Sequence, residues 1–259
     1  MSVAPPVFRE RILGTVLPVL EADHTARACW EGGSVAMGRA DAFSDIDLYI
    51  VADTARHEPI LDAFENALAQ AAAIAHTWRV EPPVFAGVAQ RIHLLKDAPR
   101  FFAVDCALLT AEAARQFLER ERHGIPRIVF DRDGTIAALP LDRARHEERL
   151  RRRLAEIRAS WPVYRIIVEK ELARGRALDA IGFYFSGLLR PLVELVGMRY
   201  RPDRFDYGWR YLHDELPRDL QHQLASFAYV AGPERINEQL PAIDRLVASL
   251  FAELGSAAE

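Results

Sequence analysis

The chain has 259 residues, half of them hydrophobic and 27% charged, with a formal net charge of −4. That length exceeds one typical domain, so two are expected, and the acidic balance argues against a polynucleotide partner, since proteins that bind nucleic acid usually show a basic surplus. The two cysteines, Cys29 and Cys106, lie in short apolar runs and read as buried free thiols. The N-terminus shows no basic stretch leading into an apolar one, and no apolar run looks long enough to span a bilayer; the expectation is a cytoplasmic protein with no membrane partner.

Phe8, Ile12, Val16, Leu17 and Leu20 recur at helical spacing, which predicts an amphipathic helix over residues 5–22 opened by Pro5-Pro6. Residues 28–31 read as a short strand running into Gly32-Gly33-Ser34, and residues 34–39 as a short helix. An apolar strand over 44–51 follows. In an extended strand, alternate side chains share a face, so Asp45 and Asp47 lie on one side and Ile46, Leu48 and Ile50 on the other. Two carboxylates on one face repel unless a cation stands between them, and hard divalent ions such as Mg²⁺ are held by one or two carboxylates together with substrate phosphates. Gly33-Ser34 can supply the phosphate cradle, because glycine lets backbone N–H groups approach an anion and serine adds a hydroxyl donor.

Separately these features mean little, since a Gly-Ser pair can be a plain turn and Asp-x-Asp a solvated strand edge. Jointly they form a sequence that is far more specific: an aromatic lead-in at Trp30, Gly33-Ser34, a second glycine at Gly38, a polar spacer, then Asp45-Ile46-Asp47 in an apolar strand. This segment resembles the signature of the DNA polymerase beta-like nucleotidyltransferase superfamily, especially its small-molecule branch, which includes the aminoglycoside nucleotidyltransferases. Val35 and Met37 stand where many of that family carry basic or aromatic residues, a departure that bears on nucleotide affinity.

Further along, Ile60, Leu61, Phe64, Leu68 and Ala71 predict a second helix that ends by His76, and Pro82-Pro83 marks residues 78–87 as irregular or edge structure. Residues 91–95 and 101–109 read as strands. Asp105 lies inside the second of these, a charge in an apolar run that needs a partner. The family resemblance makes Asp105 the third metal ligand, on a strand beside the Asp45-x-Asp47 strand; a salt-bridged or edge-exposed aspartate is the structural alternative. Thr110 is expected to cap a helix reaching Arg122, with Gly124 as its terminating glycine. Residues 125–130 read as a strand followed by the turn Asp131-Arg132-Asp133-Gly134 and a return strand from Thr135. Val129 to Ile136 also resembles the first motif of haloacid dehalogenase-like phosphatases, but no downstream acidic pair or further βα run accompanies it, so the hairpin reading is preferred.

From Pro140 the patterning is helical alone. A mixed-charge helix over 142–160, including Arg151-Arg152-Arg153, is expected to break at Trp161-Pro162, with further helices over 163–174, 177–196, 207–213, 218–230 and 234–254. Their apolar faces suit an antiparallel bundle. The fold class is therefore α+β: a nucleotidyltransferase domain over residues 1–140 with a mixed β-sheet flanked by helices, then an all-α helical bundle over 141–259. Residues 1–140 hold 14 basic against 19 acidic side chains, so the acidic surplus falls on the motif-bearing half.

The resemblance implies metal-dependent transfer of a nucleoside monophosphate from a triphosphate, ATP being expected, to a hydroxyl of a small molecule such as an aminoglycoside-type antibiotic. Asp45, Asp47 and Asp105 would be catalytic and hold two Mg²⁺ ions, while Gly33 and Ser34 would bind the nucleotide's β- and γ-phosphates. A protein or RNA acceptor keeps the same chemistry, although the charge balance counts against nucleic acid; a catalytically silent nucleotide-binding protein would have no need to keep three like charges together. Glu169, Glu171 and Asp179 qualify as general base, and Lys170 and Arg190 as phosphate contacts, by type and region only. Salt bridging is the competing role for each.

Overall fold

The structure, a computed structural model, describes residues 5–256. The chain divides into two compact units, Met1–Leu141 and Asp142–Glu259. The first is mixed α and β, the second all helix.

The first unit is built on a six-stranded sheet of β1 (Ala28–Glu31), β2 (Ile46–Val51), β3 (Ile74–Arg79), β4 (Val88–Leu95), β5 (Ala103–Leu109) and β6 (Arg127–Asp131), in the order β3-β4-β5-β2-β1-β6. Every pairing is antiparallel except β2 with β5, which run parallel. One face carries α1 (Pro5–Ala22) and α3 (His57–Ala71), whose contact residues are the periodic apolar positions of the sequence. Phe8, Ile12, Val16, Ile60, Phe64 and Leu68 are buried there with Ile46, Leu48, Ile50, Val104 and Cys106. The alternation of β2 and β5 thus sends Ile46, Leu48 and Ile50 into the core and Asp47 and Tyr49 to the opposite face. Both cysteines are free and buried, and burial pushes the Cys29 thiol up to about 12.

Three local expectations give way. The helix expected to end by His76 stops at Ala71, and the chain beyond it is not left without structure: Ala72 is extended and Ile74–Arg79 forms edge strand β3, pairing with β4. The helix expected from Thr110 to Arg122 is two short ones, α4 (Ala111–Gln116), capped by Thr110 Oγ1 accepting from the Ala113 N–H, and α5 (Arg120–His123). It breaks where Leu118 is buried and its carbonyl accepts from the Leu139 N–H, while the Leu139 carbonyl accepts from the Arg120 N–H. No return strand forms from Thr135. Asp131 Oδ2 accepts from the Ile136 N–H at 2.6 Å, Ile136 turns inward, and β6 pairs with β1 instead.

The second unit comprises α6 (Arg143–Ala173), α7 (Ala177–Phe183), a π-helical stretch Tyr184–Leu189, α8 (Arg190–Tyr200), a short α9 (Leu212–Glu215), α10 (Arg218–Ala228) and α11 (Pro233–Ser256). Pro162 does not break α6. It lies on the exposed side, beside buried Trp161, where the carbonyl it leaves unbonded can be hydrated. Leu188, Leu192, Val196, Ile236, Leu240 and Ile243 centre the core. The continuous helical run Ala177–Tyr200 is long and apolar enough to cross a membrane by length and composition, contrary to the expectation that no such run exists, but 67% of its most apolar window is buried inside the protein. Tyr184 anchors it by donating to the Phe227 carbonyl at 2.7 Å.

Candidate active site

The site is assembled at the end of β1 and the start of β2 and β5. After Glu31 the chain turns through Gly32 and Gly33 into α2 (Gly33–Ala36). Gly32 N–H donates to the Asp47 carbonyl at 2.9 Å, which sets the turn beside the acidic strand. Neither glycine tolerates a side chain. A Cβ on Gly32 would lie 2.4 Å from the Tyr49 ring, and one on Gly33, where φ is +54°, would lie 1.8 Å from Asp47 Oδ2. The Tyr49 ring is itself fixed by stacking on Trp30, with centroids 5.3 Å apart. Ser34 places its hydroxyl in a buried position with no hydrogen-bond partner among the described residues. The buried Ser34 hydroxyl beside this turn is an unsatisfied donor of the kind a phosphate oxygen can accept from.

The carboxylates fall on neighbouring strands. In the parallel register of β2 and β5, Asp47 stands directly opposite Asp105, so both project from the same face. Val104 and Cys106, on either side of Asp105, are buried in the opposite core with Ile46 and Leu48. Asp105 lies on an interior strand of the sheet, between β4 and β2. Its two oxygens accept from the Gln90 side-chain amide at 2.9 and 2.7 Å, across from β4.

Asp45, one residue before β2, has its Oδ1 accepting from the Ala103 N–H at 2.6 Å. Burial raises its carboxyl above the usual range, against the opposing pull of that hydrogen bond and of Arg9. Arg9, from α1, donates to the Asp45 carbonyl at 2.7 Å and is electrostatically coupled to both Asp45 and Asp47. The same guanidinium pairs with Glu31, which is completely buried and also pairs with Arg127 of β6.

As an oxygen donor set, Asp45, Asp47 and Asp105 fit a hard divalent cation. In this arrangement Asp45 is turned to Ala103 and Asp105 to Gln90, and among the described residues no three His, Cys, Asp or Glu side chains converge as a metal cluster. The register brings Asp47 and Asp105 together, and Asp45 joins from the end of the strand.

No protein-family model matches the chain, and neither does any curated protein. Among solved structures, it is similar to an aminoglycoside 6-adenyltransferase from Bacillus subtilis at 14% identity and a TM-score of 0.38, over 95% of this chain and 91% of that one.

Of the C-terminal candidates, Glu169, Lys170, Glu171 and Arg190 are engaged in ion pairs within the second unit. Glu171 is buried, with Arg174 at 3.0 Å and Arg176 and Lys170 near it; Glu169 pairs with Arg165 and Arg190 with Glu194. Two residues beside the carboxylates were not visible in the sequence. Gln90 sits on β4, fifteen positions from Asp105, and Arg9 lies thirty-six positions before Asp45 in a helix that reads as purely structural.

Proposed function

We propose that the protein transfers a nucleoside monophosphate from a nucleoside triphosphate, ATP in the first instance, to a hydroxyl of a small molecule. The observation that carries the reading is the pairing of Asp47 with Asp105 on adjacent parallel strands, alongside a glycine turn that presents the unsatisfied Ser34 hydroxyl. Asp45, Asp47 and Asp105 would hold two Mg²⁺ ions, which when bound supply charge neutralisation at the phosphates and lower the acidity barrier of the attacking hydroxyl. The turn at Gly33 and Ser34 would seat the β- and γ-phosphates, leaving the α-phosphorus over the carboxylate face. The acceptor oxygen bonds to that phosphorus as the bond to the pyrophosphate oxygen breaks, and the hydroxyl proton is lost to solvent. Arg9, fixed by Glu31, holds the Asp45 backbone in register with Ala103 and tempers the repulsion between Asp45 and Asp47.

The test is incubation of the full chain with labelled ATP and Mg²⁺ across a panel of hydroxylated acceptors, including aminoglycosides, followed by pyrophosphate release. Acceptor-dependent release that is lost in Asp47→Asn supports the reading. Absence of both Mg²⁺-dependent ATP binding and pyrophosphate release in the wild-type protein overturns it.

A further inference from the structure

Strand β3 ends the sheet on one side, pairing only with β4, and no other strand lies against it among the described residues. The Val80 N–H donates to the Gln90 carbonyl at 3.0 Å, so residues 76, 78 and 80 turn their backbone groups to β4. Thr77 and Arg79, alternating with them, turn theirs outward. A solvent-facing edge is ordinarily blunted by a lysine, a proline or a bulge. Here the register shift falls earlier, between Ile74 and His76, and Pro82-Pro83 come later, which leaves His76 to Arg79 a regular ladder. Thr77 donates to Glu65 of α3 at 3.3 Å and Arg79 pairs with Glu58 at 3.4 Å, so Trp78 points to the opposite face of the sheet, where it is 55% exposed.

We infer that β3 is the interface of a homodimer, in which two copies join their sheets by antiparallel pairing of β3 about a two-fold axis at Trp78. In this register Thr77 stands opposite the partner's Arg79 and Arg79 opposite the partner's Thr77, so the outward N–H and C=O groups of these residues are paired. Centring the axis on Arg79 instead would oppose like charges, and centring it on Thr77 would set Arg79 against the disturbed ladder at Ala75. Trp78 meets the partner's Trp78 in a non-hydrogen-bonded pair, the closer of the two spacings, where the rings cover each other. On the other face, Glu58, Asp62 and Glu65 surround the buried Arg91. Each Arg79, beside its own Glu58, reaches the partner's Thr77 and with it the partner's Glu65, which sets the two guanidinium groups between two acidic flanks. A ring opposite itself and a cation opposite an acidic flank give the self-complementarity of an isologous contact, which selects a second copy over an unrelated strand. Trp78, Ile92, Asp105 and Asp47 stand in one row across β3, β4, β5 and β2. The dimer therefore opens both carboxylate groups on the same face of one continuous sheet, each Asp105 roughly 24 Å from the partner's Asp105.

The experiment is sedimentation equilibrium of the full chain from roughly 1 to 300 μM, because a six-residue strand pair is a small interface and a dissociation constant of roughly 10–50 μM is expected. Thr77→Pro removes an outward N–H at a position where an edge strand tolerates proline, and Trp78→Lys opposes two like charges. Each should weaken dimerisation by at least about tenfold and leave the melting temperature of the dilute monomer unchanged. If Thr77→Pro unfolds early, Trp78→Lys, which alters only an exposed side chain, carries the comparison. Trp78→Cys sets two thiols at a spacing that a disulfide can bridge and should cross-link on mild oxidation. Thr77→Cys, opposite the partner's Arg79, should not, and the native cysteines are buried. A monomer at every concentration, a dimer that Trp78→Lys leaves intact, or preferential cross-linking of Thr77→Cys overturns the inference.

Discussion

Replacing Gly33 by alanine tests whether the glycine turn and Asp47 form one piece of machinery. Gly38 provides the internal control: its φ is +66° and a Cβ there would meet nothing within 4 Å, so Gly38→Ala carries only the left-handed backbone cost, roughly 1 kcal/mol. Gly33→Ala carries the same cost and also drives a methyl group to within 1.8 Å of Asp47 Oδ2 and 2.5 Å of its Cγ. The carboxylate must leave its rotamer or the turn must lift away from β2, which adds roughly 2 kcal/mol. At about 2–4 °C per kcal/mol, the melting temperature should fall by roughly 3 °C in Gly38→Ala and by roughly 9 °C in Gly33→Ala. Adding Asp47→Ala to Gly33→Ala removes the two closest atoms and leaves only the Asp47 Cβ, at 3.1 Å. The double variant should therefore recover part of the loss, a coupling that a thermal-melt cycle measures directly. Equal melting of Gly33→Ala and Gly38→Ala, with no coupling to Asp47, would refute the packing of the turn on the acidic strand.

Asp47→Asn should keep or slightly raise thermal stability, because it relieves repulsion on the strand face, while removing Mg²⁺-dependent ATP affinity by calorimetry. Asp105→Ala should abolish turnover and leave most nucleotide binding, since the Gly33-Ser34 turn and Asp47 remain; undiminished turnover on a working acceptor would remove Asp105 from the catalytic set. Burial depresses the His93 pKa below its ordinary 6.5, so the unfolded chain binds the extra proton first. Its stability contribution is complete above pH 6.5 and is lost as pH falls through the lower folded value, and His93→Leu should flatten urea-melt stability over that acid range. Glu31→Gln strands Arg9 and Arg127 beside a neutral amide, and with Glu31 wholly buried the expected loss is about 3 kcal/mol in urea unfolding. A loss under about 0.5 kcal/mol would mean that the two guanidinium groups are already solvated.

What the sequence made legible was whatever is written in local periodicity. Phe8, Ile12, Val16 and Leu20 announce α1, and the alternation of Asp45 to Val51 assigns faces on β2 that the structure keeps. The strand carrying Asp105 is equally plain, because Val104, Cys106 and Leu108 alternate into the same core. β3 was hidden because Ile74–Arg79 is an edge strand that buries neither face, so no alternation distinguishes it from the alanine-rich end of α3. The Asp131 to Gly134 turn has the composition of a hairpin, and only the choice of β1 as partner for β6, a long-range event, decides otherwise. In the site, the motif residues could be found by spacing. Gln90 and Arg9 could not, since what makes them site residues is a hydrogen bond formed across the sheet or from the covering helix.

Those two residues explain how the chain tolerates its own acidic site. Asp45, Asp47 and Asp105 gathered on one face would destabilise the sheet if each were left facing the others. The fold answers with a separate donor for two of them: Ala103 N–H on Asp45 and the Gln90 amide on Asp105. Arg9 adds a positive charge that acts on Asp45 and Asp47 together. Its position is dictated from behind, by a glutamate with no access to water, so it cannot simply swing onto the carboxylates and neutralise them. The Gln90 amide is uncharged and can yield both Asp105 oxygens at the cost of neutral hydrogen bonds, whereas a lysine or arginine in its place would compete with a cation at full charge. On the proposed function, the neutral donors on Asp45 and Asp105, with the Arg9 guanidinium tied to Glu31, would let a divalent ion take these carboxylates at the cost of neutral hydrogen bonds.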